Sequence, residues 1–145
     1  MAKTGPIIII EDDQNEQEVY RTVFKEMGLK NEILFFENGR VALDYLQTTK
    51  QEPFLIICNI SMPEVDGLDL RRQIIANPYL RKKGTPFVFR TGSATTKDIK
   101  GAYELGVQGF FNKTNDLVKF KNQMDLILDY WMESFEIPVM ENKLE

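Results

Sequence analysis

Pro6-Ile7-Ile8-Ile9-Ile10-Glu11-Asp12-Asp13-Gln14 sets four consecutive isoleucines against three consecutive acids. The apolar run has the length and composition of a strand. From about Gln14 to Met27 the period becomes that of a helix, with Val19, Val23, Phe24 and Met27 on one face and Gly28 as its stop. Strand and helix together make one βα unit.

The unit recurs along the chain. Glu32 to Phe36 reads as a second strand, after which Asn38 can cap a helix carrying Val41, Ala42, Tyr45 and Leu46. Phe54 to Cys58 is apolar throughout, as a central strand should be, and the loop Asn59 to Gly67 feeds a helix with Leu68, Leu70, Ile74 and Ile75. Pro86 to Arg90 is a fourth strand, Thr96 to Leu105 a helix ending at Gly106, and Gly109 to Asn112 a fifth strand. Five strands alternating with five helices predict an α/β domain, a doubly wound parallel sheet covered on both faces.

The last helix, roughly Asn115 to Phe135, places Leu117, Phe120, Met124, Ile127, Leu128, Trp131 and Phe135 on one stripe. Core packing is the expectation for its first half. Trp131 and Phe135 leave a partner or dimer surface open. Residues 136–145 read as a polar tail in which Pro138 stops any helix, so the expected division is a domain over 1–135 and a tail over 136–145.

At 145 residues, one domain with a full core is expected. The net charge of -4 argues against a nucleic-acid partner. No apolar stretch reaches membrane-spanning or signal-peptide length, so no membrane contact and a cytoplasmic location are expected. The single cysteine, Cys58, sits in an apolar run and reads as core. The chain has no histidine, which removes Ser-His-Asp and Cys-His catalysis, histidine-ligated zinc and histidine phosphotransfer.

Ligands of an open parallel sheet sit beyond the carboxyl ends of its strands. Those ends carry Glu11, Asp12 and Asp13 after the first strand, Asn59 after the third, Thr91-Gly92-Ser93 after the fourth and Lys113 after the fifth. Oxygen ligands of this kind suit Mg²⁺ together with phosphate oxygens, which a hydroxyl and a lysine can also contact. Each residue has a plainer reading: the acids as a helix cap, Thr91 as a hydroxyl bonded to backbone, Lys113 as a loop lysine. Their joint placement at four strand ends argues for a site.

Over its length to about Trp131 the chain resembles the receiver domains of bacterial two-component response regulators. The resemblance rests on Ile7 to Asp13, on Met62-Pro63-Glu64-Val65-Asp66-Gly67, on Thr91-Gly92, on Ala102-Tyr103-Glu104-Leu105-Gly106 and on Gly109-Phe110-Phe111-Asn112-Lys113. It implies a flavodoxin-like receiver fold, strand order 2-1-3-4-5, with five flanking helices. It makes Glu11 and Asp12 the metal-binding acids, Thr91 the switch hydroxyl, Phe110 the switch aromatic and Lys113 the phosphate-contacting lysine, with Asp13 just outside.

Asn59 departs from the family, which carries at this position the aspartate that takes phosphate from a kinase histidine. A neutral amide is a far weaker nucleophile than a carboxylate, so no standard phosphotransfer is expected there. A unit charge pair at about 4 Å and an effective dielectric near 20 is worth about 4 kcal/mol before desolvation. A Mg²⁺ site of Glu11, Asp12 and Asn59 is therefore expected to be weakened. Thr114 stands where the family has proline after the lysine, so a trans peptide and a rearranged loop are expected. Arg90, ending an apolar strand, is expected to reach solvent rather than the pocket rim.

The resemblance implies a stand-alone receiver domain in phosphorelay signal transduction. With Asn59 it becomes a pseudo-receiver, not an enzyme, acting by contact with a histidine kinase, another signalling protein or a second copy in a homodimer. In the family the contact surface involves the fourth and fifth helices and the last strand, which here include Tyr103 and Phe110. The alternatives are a receiver phosphorylated on Asp12 or Asp13, and a metal-dependent small-molecule-binding or phosphatase-like α/β protein. A flavin is disfavoured, because Glu11-Asp12-Asp13-Gln14 would repel a phosphate unless a metal intervened.

Overall fold

The computed structural model describes residues 2–135; the tail expected over 136–145 lies outside them. Five parallel strands, β1 (Ile7–Ile10), β2 (Ile33–Phe36), β3 (Leu55–Cys58), β4 (Phe87–Thr91) and β5 (Gly109–Asn112), form one sheet in the order β2-β1-β3-β4-β5. That is the order the resemblance implied. Each strand begins or ends within a residue of its expected bound.

The alternation of side chains divides the core in two. Ile8 and Ile10 of β1 join Ile56, Cys58, Phe87 and Phe89 on one face, while Ile7 and Ile9 join Leu55, Ile57 and Val88 on the other. All four isoleucines are fully buried, at roughly 1.5–3 kcal/mol of transfer free energy for each side chain. Fully buried faces on both sides fix the register, since a one-residue slip would exchange the two sets.

Six α-helices flank the sheet among the described residues, one more than expected: α1 (Gln14–Met27), α2 (Gly39–Thr48), α3 (Gly67–Ala76), α4 (Pro78–Lys83), α5 (Thr96–Glu104) and α6 (Leu117–Glu133). The extra helix comes from Asn77-Pro78. Asn77 is extended at φ -95° and ψ 111°, ends α3, and accepts from the Tyr79 and Leu80 amides to cap α4. Pro78 fits the first turn of α4, where no amide proton is needed. Asp13, Asn38, Asp66, Thr95 and Asp116 cap the other five helices. Gly28 closes α1 in the left-handed region at φ 66°.

Two packing expectations are corrected. Leu117 is half exposed, because α6 begins there and its buried stripe starts at Phe120 and runs through Met124, Ile127 and Leu128. Trp131 packs against the α1 and α6 side of the core, whereas Phe135 lies beyond the helix, fully exposed. Arg90 does not reach solvent. It shares the face of Val88, and its side chain is 0 % exposed between α1 and α6.

Candidate functional site

The carboxyl ends of β1, β3, β4 and β5 bring the expected residues together. Glu11 follows β1 directly, 1 % exposed; its amide donates to the Phe36 carbonyl at 2.9 Å, and the buried Gln17 of α1 donates to its carbonyl at 2.6 Å. Asp13 turns away to cap α1, accepting from the Asn15 and Glu16 amides. Asp12 lies between them, exposed, with its carboxylate turned toward the end of β3.

At that end sits Asn59, 8 % exposed, its amide donating to the Ile10 carbonyl at 2.9 Å. Its side-chain Oδ1 accepts from the Ile60 amide at 2.9 Å. Its Nδ2 lies 3.1 Å from Asp12 Oδ1, 3.3 Å from Glu11 Oε2 and 3.2 Å from the Ser61 carbonyl. The orientation follows from the partners: a flipped amide would set its oxygen against two carboxylates and face the Ile60 donor with another donor.

Lys113 closes the other side. Its Nζ lies 2.7 Å from Glu11 Oε1, in an ion pair 19 % and 2 % exposed at its two side chains. Burial pushes the Glu11 carboxyl above its ordinary range, and the Lys113 ammonium beside it pulls back. The Lys113 amide donates to the Thr91 carbonyl at 2.9 Å, and Thr91 Oγ1 donates to the Ser93 carbonyl at 3.3 Å. No peptide bond is cis among the described residues, so Lys113 and Thr114 are joined in trans. Phe110 is partly buried, its ring centroid 5.9 Å from Phe89 and 6.4 Å from Tyr103.

The loop from Asn59 to Gly67 is held closely over the end of β3. A Cβ on Gly67 would come within 2.3 Å of the Asn59 carbonyl oxygen, so only glycine fits there. Among the described residues Glu64 is the non-glycine residue with positive φ, at 63°, in a conformation that costs of order 1–3 kcal/mol unless its surroundings enforce it.

Behind the site runs a buried polar chain that was not legible as such. Arg90 Nη1 reaches Glu16 Oε2 of α1 at 2.5 Å, and Arg90 Nε reaches Gln123 Oε1 of α6 at 2.5 Å. Gln123 Nε2 in turn donates to the Asn112 carbonyl at 2.9 Å, one residue before Lys113. The guanidinium also stacks 4.1 Å over the Phe120 ring. Its Nη2 has no partner. The chain thus braces the end of β5 from beneath. Gln17 and Gln123 gave one sequence signal, an amide on the otherwise apolar face of each helix.

The chemistry this arrangement supports is limited by Asn59. No nucleophilic carboxylate stands where β3 ends, and Asp12 and Glu11 are each engaged by the Asn59 donor. As placed, the residues fit a divalent cation poorly. Asn59 offers the acids a donor and turns its only ligand oxygen to Ile60, and no group of three or more acidic, cysteine or histidine side chains is placed to hold a metal among the described residues. None of the described helices is long and apolar enough to cross a membrane.

Comparison with known proteins agrees with this fold. The response regulator receiver domain family matches residues 7–125. The chain is 26 % identical over 137 residues to response regulator Rcp1 of Synechocystis sp., covering 91 % of this chain and 92 % of that one. Among solved structures, the Mn²⁺-bound form of response regulator Rcp1 superposes with a TM-score of 0.78 at 26 % identity, over 92 % of this chain and 99 % of that one. The phosphorylated cyanobacterial phytochrome response regulator RcpA shares the fold, with a TM-score of 0.81 at 22 % identity over 92 % and 97 % of the two chains.

Proposed function

This chain belongs to the response regulator receiver domain family of two-component signalling, and from that premise we propose that it is a pseudo-receiver, which binds signalling partners without accepting phosphate. The observation that carries the proposal is the Asn59 amide at the carboxyl end of β3, which donates to both Glu11 and Asp12; we take this place to be that of the acceptor aspartate. A receiver aspartate attacks phosphorus through a carboxylate oxygen and leaves a mixed anhydride. The Asn59 oxygen is neutral and already accepts from the Ile60 amide.

The same amide takes over part of a cation's electrostatic role. Its N–H dipoles, the Lys113 ammonium and the Asp13 backbone amide, 3.1 Å from Glu11 Oε2, are the donors around the two carboxylates. Mg²⁺ would have to turn the amide over to gain Asn59 as a ligand, so its binding is weakened. The Mn²⁺-bound relative supports a divalent ion as the kind this pocket would take once Asn59 is replaced by a carboxylate. Thr91 and Phe110 are the switch positions, and Lys113 the phosphate contact if the acceptor were restored.

The partner is a histidine kinase or another signalling protein, or a second copy of the chain. The exposed Ile99 and Tyr103 of α5 and Leu126 and Tyr130 of α6 supply apolar contact area near β5. No chemical turnover is needed for such a role. The test is to incubate the chain with an autophosphorylated histidine kinase that forms a saturable complex with it. The kinase keeps its label under this proposal; label moving to the chain overturns it.

A further inference from the structure

At the opposite pole of the sheet from Asn59, α2, α3 and α4 border a cavity of about 160 Å³, partly open to solvent, against the amino-terminal ends of β3 and β4. Ile56, Ile74, Leu80 and Phe87, all buried, make its apolar walls. Three cations, Arg71, Arg81 and Lys83, also line it, and no acidic residue does. That asymmetry arises in a chain of net charge -4, where acids outnumber bases.

Arg71 is the informative member. It is 6 % exposed, yet none of the ion pairs among the described residues includes it. Its Nε and Nη2 donate to the Leu105 and Gly106 carbonyls, each at 3.0 Å, where α5 ends. Those carbonyls return about half an elementary charge at a helix terminus. Burial still lowers the Arg71 pKa from its usual value, with no anion to oppose the loss of hydration. Among the described residues Nη1 has no protein acceptor and is open to solvent, unlike the sealed Nη2 of Arg90. Its hold on the end of α5, with its guanidinium 5.1 Å over the Phe87 ring, explains the placement of Arg71. It does not explain why two further cations, and no acid, share the cavity.

An apolar cavity of about 150 Å³ accommodates a benzene-sized body. We propose that this cavity binds a small organic monocarboxylate of about benzoate size, its apolar body against Ile74, Leu80 and Phe87 and its carboxylate on Arg71 Nη1. Arg81 and Lys83 have local partners of their own, the Ile75 carbonyl and the Tyr79 ring. Their part is to add positive field at the rim.

The experiment is an amide NMR titration of the full chain with benzoate, benzamide and inorganic phosphate at constant ionic strength. Benzoate is expected to give saturable shifts at Arg71, Ile74, Leu80 and Phe87 and none at Glu11, Asn59 or Lys113, with benzamide and phosphate each at least tenfold weaker. Arg71→Gln should abolish the shifts. Because that change also removes bonds to the end of α5, the surface variant Arg81→Glu is run beside it and should weaken benzoate several-fold in a folded chain. Equal binding of benzamide, insensitivity to Arg81→Glu in the folded chain, or no saturable shifts at this pole would each overturn the proposal.

Discussion

The side-chain nitrogen of Asn59 lies 3.1 Å from Asp12 Oδ1, closer than to any other acceptor it contacts, and so ties the end of β3 to the end of β1 through a donor that a carboxylate here could not provide. Replacing that donor by a third carboxylate should repel Glu11 and Asp12. Hydrogen bonds to charged groups are worth about 1.5–3 kcal/mol, so Asn59→Asp should lose about that much in metal-free buffer. Mg²⁺ should restore the variant and leave the natural chain nearly unchanged. Thermal melts in EDTA and in millimolar Mg²⁺ measure both effects; a natural chain stabilised as strongly as the variant would contradict the reading of Asn59.

The Arg90–Glu16 pair is asymmetric, 0 % and 18 % exposed at its two side chains. Removing the acid strands a buried cation, which typically costs about 3–5 kcal/mol. Removing the cation leaves a carboxylate that water can reach and also removes the unpartnered Nη2. Glu16→Ala should therefore lower the urea midpoint much more than Arg90→Met, which should lie within about 1–2 kcal/mol of the natural chain. The reverse order would show that the guanidinium stacking on Phe120 outweighs the ion pair.

Cys58 is fully buried at the end of β3, and burial, with smaller contributions from the Glu11 and Asp66 charges, pushes its thiol well above the usual range. Only the thiolate reacts readily. Labelling by iodoacetamide at pH 8 should be negligible in the native chain and complete in 8 M urea. Fast native labelling would mean that β3 opens locally.

A methyl group on Gly67 would meet the Asn59 carbonyl at 2.3 Å and the Phe89 ring at 2.9 Å. Overpacking of this kind costs about 1–3 kcal/mol. Gly67→Ala should destabilise by that amount and shift the Asn59 and Ile60 amide resonances, since the loop must move off the site. An unshifted spectrum at full stability would remove the claim that glycine is required here.

Much of this was legible in local pattern. The isoleucine run and its acids placed β1 and the site edge, and Asn38 and the acids after β1 were legible as helix caps, as the structure has Asn38 and Asp13, whereas the Thr95 cap was not foreseen. What pattern could not supply was tertiary choice. Arg90 ends an apolar strand, and its expected escape to solvent failed because strand alternation points it between α1 and α6, where Glu16 and Gln123 can satisfy it. The short helix α4 was not expected, because its six residues bury only Leu80 and so show no apolar period of their own. The orientation of the Asn59 amide was equally hidden, since it depends on an Ile60 amide and two carboxylates brought together only by folding.

The most direct measurement is intact mass after incubation with a small phosphodonor and Mg²⁺, on the natural chain and on Asn59→Asp side by side. A phosphate adduct confined to Asn59→Asp is the predicted result, with Glu11, Asp12, Thr91 and Lys113 serving the restored acceptor. An adduct on the natural chain would contradict the pseudo-receiver account and direct attention to Asp12 or Asp13 as the acceptor.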